Sequence, residues 1–218
     1  MAINFRKLSL IILAVIYYPL QAQITFIKWY GGPNDDEGYG VEETIDGGYI
    51  IGGLTTSSAG FSDMYLIKTN SLGDTLWSKI YGGDSFDGIY SMVKIANGYL
   101  LAGFTNSFGN GLHDVYLVRT DLEGNAVWTK TYGGSGYDAA LGVKGTVDDG
   151  FIITGYTDEG MGGGDVYLIK VDSLGDSLWT KTYGGTEYDV GTSVSQTNDL
   201  GYIIVGTTLS YGAGFDDI

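Results

Sequence analysis

The segment Leu76-Trp77-Ser78-Lys79-Ile80-Tyr81-Gly82-Gly83 decides the fold, because the chain repeats it. It returns as Val127-Trp128-Thr129-Lys130-Thr131-Tyr132-Gly133-Gly134 and as Leu178-Trp179-Thr180-Lys181-Thr182-Tyr183-Gly184-Gly185. The tyrosines fall at positions 30, 81, 132 and 183, so the period is 51 residues. A fixed period of this size indicates a repeat architecture.

Each period contains four apolar runs that are rich in β-forming residues and separated by turn signals. In the first repeat these runs, named strands A to D, are Tyr39 to Ile45, Tyr49 to Gly53, Met64 to Thr69 and Thr75 to Tyr81. The C–D turn Ser71-Leu72-Gly73-Asp74 suits a hairpin that ends with a left-handed glycine. We expect glycine to take a positive φ in the A–B turns as well, which are Asp46-Gly47-Gly48, Asn97-Gly98, Asp149-Gly150 and Leu200-Gly201. Each period is therefore predicted to be a four-stranded antiparallel meander.

Strand B predicts how the meanders pack against each other. Its sequence is continuously apolar, as in Tyr99-Leu100-Leu101 and Phe151-Ile152-Ile153, which suits a strand covered on both faces. Because one meander cannot cover both of its own faces, each sheet must stack against the next. Radial stacking of four-stranded sheets gives an all-β propeller with one repeat per blade. A linear β-solenoid is the alternative, although its coils are usually shorter and pair in parallel.

The two ends of the chain suggest how it is processed and divided. Arg6 and Lys7 precede an apolar run from Leu8 to Leu20, and Ala22 offers a small residue for cleavage. We interpret residues 1–22 as a secretory signal peptide, with an N-terminal membrane anchor as the alternative. Residues 23–218 form the repeats: an orphan D strand (23–30), three complete repeats (31–81, 82–132 and 133–183) and a truncated repeat (184–218).

In the orphan D strand, Phe26 takes the tryptophan position. The sequence thus predicts an incomplete propeller of about 3.5 to 4 blades. We expect the chain to be the N-terminal fragment of a longer protein, with the remaining blades in the missing C-terminal part.

The composition excludes several classes of function. The chain has no cysteine, so it has no disulfide, thiolate metal site or cysteine nucleophile. Without residues 1–22, 9 Lys and Arg remain against 26 Asp and Glu, which gives a net charge of -17. Such a surface repels nucleic acid and anionic membranes and favours cations or neutral ligands. We expect no nucleic-acid partner and no membrane insertion after the signal peptide is cleaved.

Two sets of recurring residues are candidates for structure or function. Trp77, Trp128 and Trp179 are predicted to pack between blades, with a stacking platform for sugars as the alternative. Aspartates also recur before strand A (Asp36, Asp87, Asp138 and Asp189) and before strand C (Asp63, Asp114 and Asp165). These aspartates either accept hydrogen bonds from their own glycine-rich loops or, with loop carbonyls, coordinate Ca²⁺. The antiparallel order places the D–A and B–C loops on one face of the repeats.

The sequence shows no catalytic constellation. His113 is the single histidine, and it has no counterpart in the other repeats. No serine has a partnered base, and no carboxylate pair is singled out by spacing. We therefore predict that this part of the protein is not an enzyme and that it has no cofactor, unless the recurring aspartates coordinate Ca²⁺.

The recurring motifs resemble a known family. Tyr-Gly-Gly with a nearby Asp, the Gly201 to Gly206 stretch, and the Asp165 to Trp179 stretch resemble the SBBP-type β-propeller repeats of secreted surface proteins, especially from Bacteroidetes. The resemblance covers residues 24–218. It implies a seven-bladed ring at the bacterial cell surface, adhesive modules and a C-terminal sorting domain for type IX secretion. The Asp172 to Trp179 stretch is also similar, more weakly, to the tryptophan-docking repeats of quinoproteins.

These observations lead to a prediction of function. We expect a secreted, non-catalytic propeller that acts as a binding or adhesion module for an extracellular polysaccharide or protein. The alternative is a propeller appendage of a secreted hydrolase whose catalytic domain lies beyond Ile218.

Overall fold

The protein is built from antiparallel β-strands. The computed structural model describes residues 26–56, 61–158, 163–212 and 217, and these residues contain no helix. Fourteen strands form three four-stranded sheets and one two-stranded sheet, in which all paired strands are antiparallel. The all-β prediction and the four-stranded meanders are confirmed. The signal peptide predicted for residues 1–22 lies outside the described residues.

Each sheet contains its strands in chain order. The first sheet consists of β1 (Asp36–Glu43), β2 (Tyr49–Thr55), β3 (Asp63–Thr69) and β4 (Thr75–Tyr81). The second consists of β5 (Asp87–Ile95), β6 (Gly98–Thr105), β7 (Asp114–Thr120) and β8 (Ala126–Tyr132). The third consists of β9 (Asp138–Gly145), β10 (Phe151–Thr157), β11 (Asp165–Val171) and β12 (Ser177–Tyr183). The fourth consists of β13 (Asp189–Gln196) and β14 (Tyr202–Thr208).

The predicted strand D of the first repeat has the bounds found for β4, but strand A differs from β1. Strand β1 begins at Asp36, three residues before the predicted start at Tyr39. The difference arises because the acidic segment before Tyr39 continues the pairing, with Asp36 opposite Thr55. Strand β1 ends at Glu43 because the next residue, Thr44, already closes the turn by donating to the carbonyl of Gly48 (2.9 Å).

Each first strand contains a β-bulge, which explains a recurring glycine in the second strand. The register shifts between Gly38 and Gly40 in β1, and corresponding shifts occur in the other three sheets. A Cβ on the facing glycine, Gly53, would lie 2.1 Å from the carbonyl oxygen of Glu37. The equivalent glycines meet a carbonyl at the same or shorter distance, and they are Gly103, Gly155 and Gly206. The bulge therefore requires glycine at this position.

The A–B turns follow the prediction in two repeats and differ from it in two. Gly47 (φ 75°) and Gly98 (φ 144°) take the positive φ as predicted. In the third and fourth repeats, Asp149 (φ 60°) and Leu200 (φ 67°) take it in place of the glycine that follows. In the first, third and fourth repeats the turn has the same hydrogen bonds, and the residue before the last glycine occupies the left-handed position; in the second repeat Gly98 itself occupies it.

The hydrophobic core lies between successive sheets. Ile50 and Leu66 of the first sheet pack with Ile89 and Leu101 of the second. Similar clusters lie between the second and third sheets and between the third and fourth sheets. Strand β6, with a sheet on either side, is buried along its whole length. The prediction that each sheet stacks against the next is confirmed.

Neighbouring repeats are also joined by a contact that we call the clamp. A clamp consists of an aromatic residue, a lysine and a tyrosine at alternate positions of one D segment, and it holds the C–D turn of the next repeat. Tyr81 donates a hydrogen bond to the carbonyl of Gly124 (2.6 Å), and Lys79 Nζ donates to Asn125 Oδ1 (3.3 Å). A Cβ on Gly124 would lie 2.7 Å from the ring of Trp77. The left-handed glycine (φ 77°) thus lets the indole lie directly on the turn.

The clamp occurs twice more with the same chemistry. One clamp consists of Trp128, Lys130 and Tyr132 around Gly175 and Asp176. The other consists of Phe26, Lys28 and Tyr30 around Gly73 and Asp74. The tryptophans therefore pack between repeats as predicted, and Phe26 takes the tryptophan position as predicted.

Within a repeat, a cation of the third strand anchors the A–B turn. Lys68 Nζ binds Asp46 Oδ2 at 2.9 Å, and Lys170 Nζ binds Asp148 Oδ2 at 3.0 Å. In the second repeat Arg119 instead donates to Asn97 Oδ1 (2.5 Å). Each cation is buried and also donates a hydrogen bond to a backbone carbonyl. Its polar contacts therefore hold the A–B turn against the third strand.

Candidate functional site

The described residues of the D–A and B–C connections lie on one face, which we call the loop face. The amide of Asp87 donates to the carbonyl of Ser62 in the preceding repeat (2.7 Å). The amides of Asp138 and Asp189 make the equivalent bonds to the carbonyls of His113 (2.9 Å) and Gly164 (2.6 Å). Because each bond links two repeats, functional groups on different repeats keep a regular spacing.

The structure brings the predicted aspartates together in pairs on this face. Each pair joins the aspartate that begins a third strand to the aspartate that begins the next first strand. The two aspartates lie on either side of the first glycine of Tyr-Gly-Gly. A Cβ on Gly82 would lie 2.0 Å from Asp63 Oδ1 and 2.7 Å from Asp87 Oδ2. The same arrangement surrounds Gly133 and Gly184, with the pairs Asp114 with Asp138 and Asp165 with Asp189. Asp36 lies beside Gly31, at the position equivalent to Asp87.

One oxygen of each first-strand aspartate caps its own loop. Asp87 Oδ2 accepts a hydrogen bond from the amide of Gly83 (2.8 Å) and one from the Ser107 hydroxyl (2.6 Å). The amides of Gly32, Gly134 and Gly185 donate in the same way to Asp36, Asp138 and Asp189. These are the hydrogen bonds that the turn interpretation of the aspartates requires.

The other carboxylate oxygen, Oδ1, lacks a hydrogen-bond donor in some of the recurring aspartates. Asp87 is fully buried, and its Oδ1 has no hydrogen-bond donor among the described residues. Oδ1 of Asp36 and Oδ1 of Asp165 are likewise buried without a donor. A buried carboxylate oxygen without a donor or cation is strongly unfavourable. Among the described residues no three histidine, cysteine or carboxylate side chains are placed so that they could hold a metal ion together, so each pair offers two carboxylates at most.

In the third pair, the hydrogen bonds to Asp189 involve both of its carboxylate oxygens. Ser210 and Thr208 donate hydrogen bonds to Asp189, and the Gly185 amide adds another. Burial raises the pKa of Asp189, but these hydrogen bonds together outweigh burial, so its pKa is lowered. The hydroxyl donors therefore stabilise the carboxylate in its charged form.

A row of exposed aromatic residues lies directly beside the aspartate pairs. Phe86, Tyr137 and Tyr188, which we call the aromatic row, each precede a first-strand aspartate and are 41 to 46% exposed. The ring of Phe86 packs edge-on against Phe61 (5.0 Å between centroids), and Tyr137 packs against His113 (4.9 Å). The rings are thus held by the B–C loops and keep an open side toward solvent.

Sequence reasoning missed the aromatic row, although its signal was present. The three residues are one period apart, as the clamp tryptophans are. The signal was hidden because the equivalent residue of the first repeat is Asp35 and because the position holds Phe in one repeat and Tyr in the next two.

His113 has a packing role on this face. Its ring stacks on Phe104 (4.8 Å between centroids) and meets Tyr137 edge-on. Burial lowers the pKa of His113, so the imidazole is neutral at pH 7. The residue therefore supports the aromatic row.

A second concave surface lies on the opposite face, between the first two repeats. The groove has a volume of about 880 Å³, and its lining includes Trp77, Tyr99, Lys94 and Glu43. Lys94 donates to the backbone carbonyl of Glu43, which ties the two A–B turns together across the groove.

No helix of the described residues has the length and apolar character needed to cross a membrane. Comparison with protein-family models finds no match for this chain. Comparison with curated proteins finds no match either.

Proposed function

We propose that this chain is part of a secreted, non-catalytic β-propeller that binds an extracellular polysaccharide or protein at the bacterial surface. The aromatic row on the loop face is the observation that carries the proposal. Secretion and a surface location rest on the sequence of residues 1–22 and on the resemblance to SBBP-type repeats.

The arrangement of the first strands supports a propeller. Strands β1, β5, β9 and β13 lie next to one another in succession, whereas the fourth strands reach the next repeat through its C–D turn. When the first strands of successive sheets lie close together and the fourth strands are kept apart by intervening turns, the sheets fan out around an axis. Radial stacking of this kind is that of propeller blades.

The chemistry of the loop face favours a neutral, hydroxyl-rich ligand. Phe86, Tyr137 and Tyr188 present flat apolar surface at regular spacing, which suits successive rings of a polysaccharide. Exposed carboxylates of the same loops, such as Asp84 and Glu187, can accept hydrogen bonds from hydroxyl groups. The strong negative charge disfavours anionic polymers.

A binding experiment tests this function. The purified chain is applied to an array of neutral polysaccharides, and the affinity for each hit is measured for the double variant Tyr137→Ala with Tyr188→Ala. We expect the affinity to fall about tenfold, because a stacked aromatic contact contributes about 0.5–1.5 kcal/mol. Trp29→Ala, which removes an aromatic residue that is 88% exposed and does not belong to the aromatic row, is the matched control.

Two outcomes would contradict the proposal. One is an affinity that the double variant leaves unchanged, since the aromatic row would then not touch the ligand. The other is cleavage of a bound polysaccharide by the purified chain, since a non-catalytic module leaves its ligand intact.

We also propose that the aspartate pairs bind Ca²⁺ when it is present. The support is the buried Oδ1 of Asp87, which lacks a donor and lies in the pair with Asp63. Two carboxylates supply at most four of the six to eight oxygens that Ca²⁺ requires, so loop carbonyls or water must supply the rest. Bound Ca²⁺ would hold two successive repeats together at the loop face.

Thermal unfolding tests the calcium proposal. Millimolar Ca²⁺ should raise the Tm of the chain, because a cation that binds only the folded state stabilises it. Asp87→Asn should reduce the increase, whereas Asp84→Asn, an exposed residue of the same loop, should not. The absence of a Tm increase in the parent chain, or equal increases in both variants, would rule out binding at the pairs.

A further inference from the structure

The groove between the first two repeats has apolar walls that the folded chain leaves uncovered. It lies on the face opposite the loop face, and its volume of about 880 Å³ is typical of a small-molecule site. Ile45, Leu76 and Leu122 line it, and each of these side chains is at least 48% exposed. Trp77 and Ile95 add further apolar surface from β4 and β5. The walls can therefore cover a small apolar molecule.

The unpaired charge of the groove is negative. Three carboxylates line it without an ion pair to any described residue, and they belong to Glu42, Glu43 and Glu123. The two lysines of the lining are already bound to protein oxygens. Lys68 pairs with Asp46, and Lys94 donates a hydrogen bond to the backbone carbonyl of Glu43. A cation that enters the groove therefore meets carboxylates that have no other cationic partner.

The fold does not require these acidic residues, because the other repeats replace them. Glu123 precedes the left-handed glycine of its C–D turn, where the first and third repeats have Leu72 and Leu174. At the positions of the two glutamates of β1, the second repeat has Val93 and Lys94. The surface between the second and third repeats thus has no counterpart of the three carboxylates. Their presence in this one groove points to a ligand rather than to a structural need.

Tyr99 contributes an unused hydroxyl group to the same groove. The residue is 1% exposed and lines the groove, but its hydroxyl forms no hydrogen bond with the described residues. Burial, followed by the charges of Asp46 and Glu123, raises the pKa of Tyr99, so the hydroxyl stays neutral. The hydroxyl therefore lies near carboxylates of both repeats. A buried hydroxyl without a partner is unfavourable, and a polar group bound in the groove would satisfy it.

The two sides of the groove are held in place by contacts within the protein. The turn that carries Glu123 is held by the clamp, in which Tyr81 donates a hydrogen bond to the carbonyl of Gly124 (2.6 Å). The hydrogen bond from Lys94 to the carbonyl of Glu43 ties the two A–B turns together. Because neither side has to become ordered when a ligand binds, the entropic cost of binding is small.

We propose that this groove is a binding site for a small primary ammonium ion that carries an apolar body. The ammonium group lies near the Glu123 carboxylate and donates a hydrogen bond to the hydroxyl oxygen of Tyr99. The apolar body packs on the walls formed by Trp77, Ile95 and Leu122. The inference goes beyond the proposed polysaccharide ligand and does not rest on it, because the aromatic row lies on the opposite face.

The chemistry of the groove selects this occupant. An anion would be repelled by the three unpaired carboxylates. A neutral apolar molecule would leave the carboxylates and the Tyr99 hydroxyl without partners, and a metal ion would leave the apolar walls uncovered. A primary ammonium group has three N–H donors, so it can bind a carboxylate and the hydroxyl at the same time.

Isothermal titration calorimetry with three matched probes tests the proposal. The purified chain is titrated with n-octylammonium at physiological ionic strength, which screens general attraction to the acidic surface. We expect saturable binding with one probe per chain. The uncharged 1-octanol should bind more weakly by about tenfold or more, because it cannot form charge-assisted hydrogen bonds. Ethylammonium should also bind more weakly by about tenfold or more, because it buries less apolar surface.

Variants of the chain locate the site. Glu123→Leu should weaken n-octylammonium binding about tenfold, and Tyr99→Phe should weaken it about fivefold. We expect both variants to fold, because the third repeat has Leu174 and Phe151 at the equivalent positions. Asp149→Asn is the control and should bind like the parent chain, since it removes one negative charge from the exposed A–B turn of the third repeat.

Four outcomes would overturn the proposal. They are no saturable binding of n-octylammonium, equal binding of 1-octanol or ethylammonium, unchanged binding by either groove variant, and an equal loss in Asp149→Asn and Glu123→Leu. The last outcome would mean that the overall negative charge attracts the probe. Failure of the polysaccharide experiment would leave this proposal intact, because the two experiments probe opposite faces.

Discussion

Replacing Gly124 by alanine tests whether the clamp holds the repeats together. Gly124 has a φ of 77°, and its missing Cβ leaves room for the Trp77 ring. An added Cβ would lie 2.7 and 2.8 Å from two carbons of the indole and 2.9 Å from Lys79 Cγ. The substitution therefore imposes a left-handed conformation on alanine and also forces the ring or the turn to move.

The expected loss of stability has two parts. A left-handed conformation costs an alanine about 1–2 kcal/mol. Displacement of packed side chains costs a further 1–3 kcal/mol or so, so Gly124→Ala should lower the free energy of unfolding by about 2–5 kcal/mol. Gly47→Ala separates the two parts, because Gly47 has nearly the same φ (75°) but its Cβ would have no heavy atom within 4 Å. That control should show the conformational part alone, about 1–2 kcal/mol.

Urea unfolding followed by circular dichroism measures both variants. The clamp contact is isolated by adding Trp77→Ala to each background, since the extra loss in Gly124→Ala should shrink when the indole is absent. If Gly124→Ala and Gly47→Ala are equally destabilising, or if Trp77→Ala leaves their difference unchanged, then the indole does not restrict the turn and the clamp has no energetic role.

The other predictions concern single contacts. Tyr81→Phe removes the hydrogen bond to the Gly124 carbonyl and should lower the free energy of unfolding by about 1 kcal/mol in the same assay. Tyr183→Phe, whose hydroxyl has no hydrogen bond among the described residues, should be neutral, and equal losses would contradict this interpretation. Hydrogen bonds lower the pKa of Asp148 from 3.8 to about 2. The bond from Thr146 has the largest effect, and the bond from Lys170 has the next largest. Because the folded-state pKa is lowered, the stabilisation is present above pH 4 or so and is lost as the pH falls toward about 2. Asp148→Asn should therefore lower Tm at pH 7 and show a smaller further decrease between those pH values than the parent. Asp149→Asn is the control, and a matching acid response in both variants would refute the role of Asp148.

Much of the fold could be predicted because the same apolar runs, glycines and turn residues recur in each period of the sequence. The hairpin turns, the strand order and the packing of Trp77 and Trp128 followed from glycines, apolar runs and spacing. The bulge opposite Gly53 could not be predicted, because an extra residue in a strand changes register without changing composition. The positive φ of Leu200 was missed because the hydrogen bonds of the turn, and not the residue type, select it.

The candidate site was only partly visible for a related reason. The sequence identified Asp63 and Asp87 as recurring residues, but their pairing joins two different repeats around Gly82. A contact between repeats depends on how one sheet is rotated against the next, and no local pattern encodes that rotation. The aromatic row depends on the same rotation, because its rings are held by the B–C loop of the preceding repeat.

The clamp also gives assembly a direction. Each D segment is synthesised before the turn that it holds, so an emerging chain always presents a finished aromatic surface to the repeat that follows. Domains and repeats near the N-terminus generally fold first during translation. A new repeat can therefore dock on a surface that already exists, and it need not wait for a later repeat to fix its position. Folding in this protein should advance along the nascent chain one repeat at a time, with each docking event preparing the surface for the next.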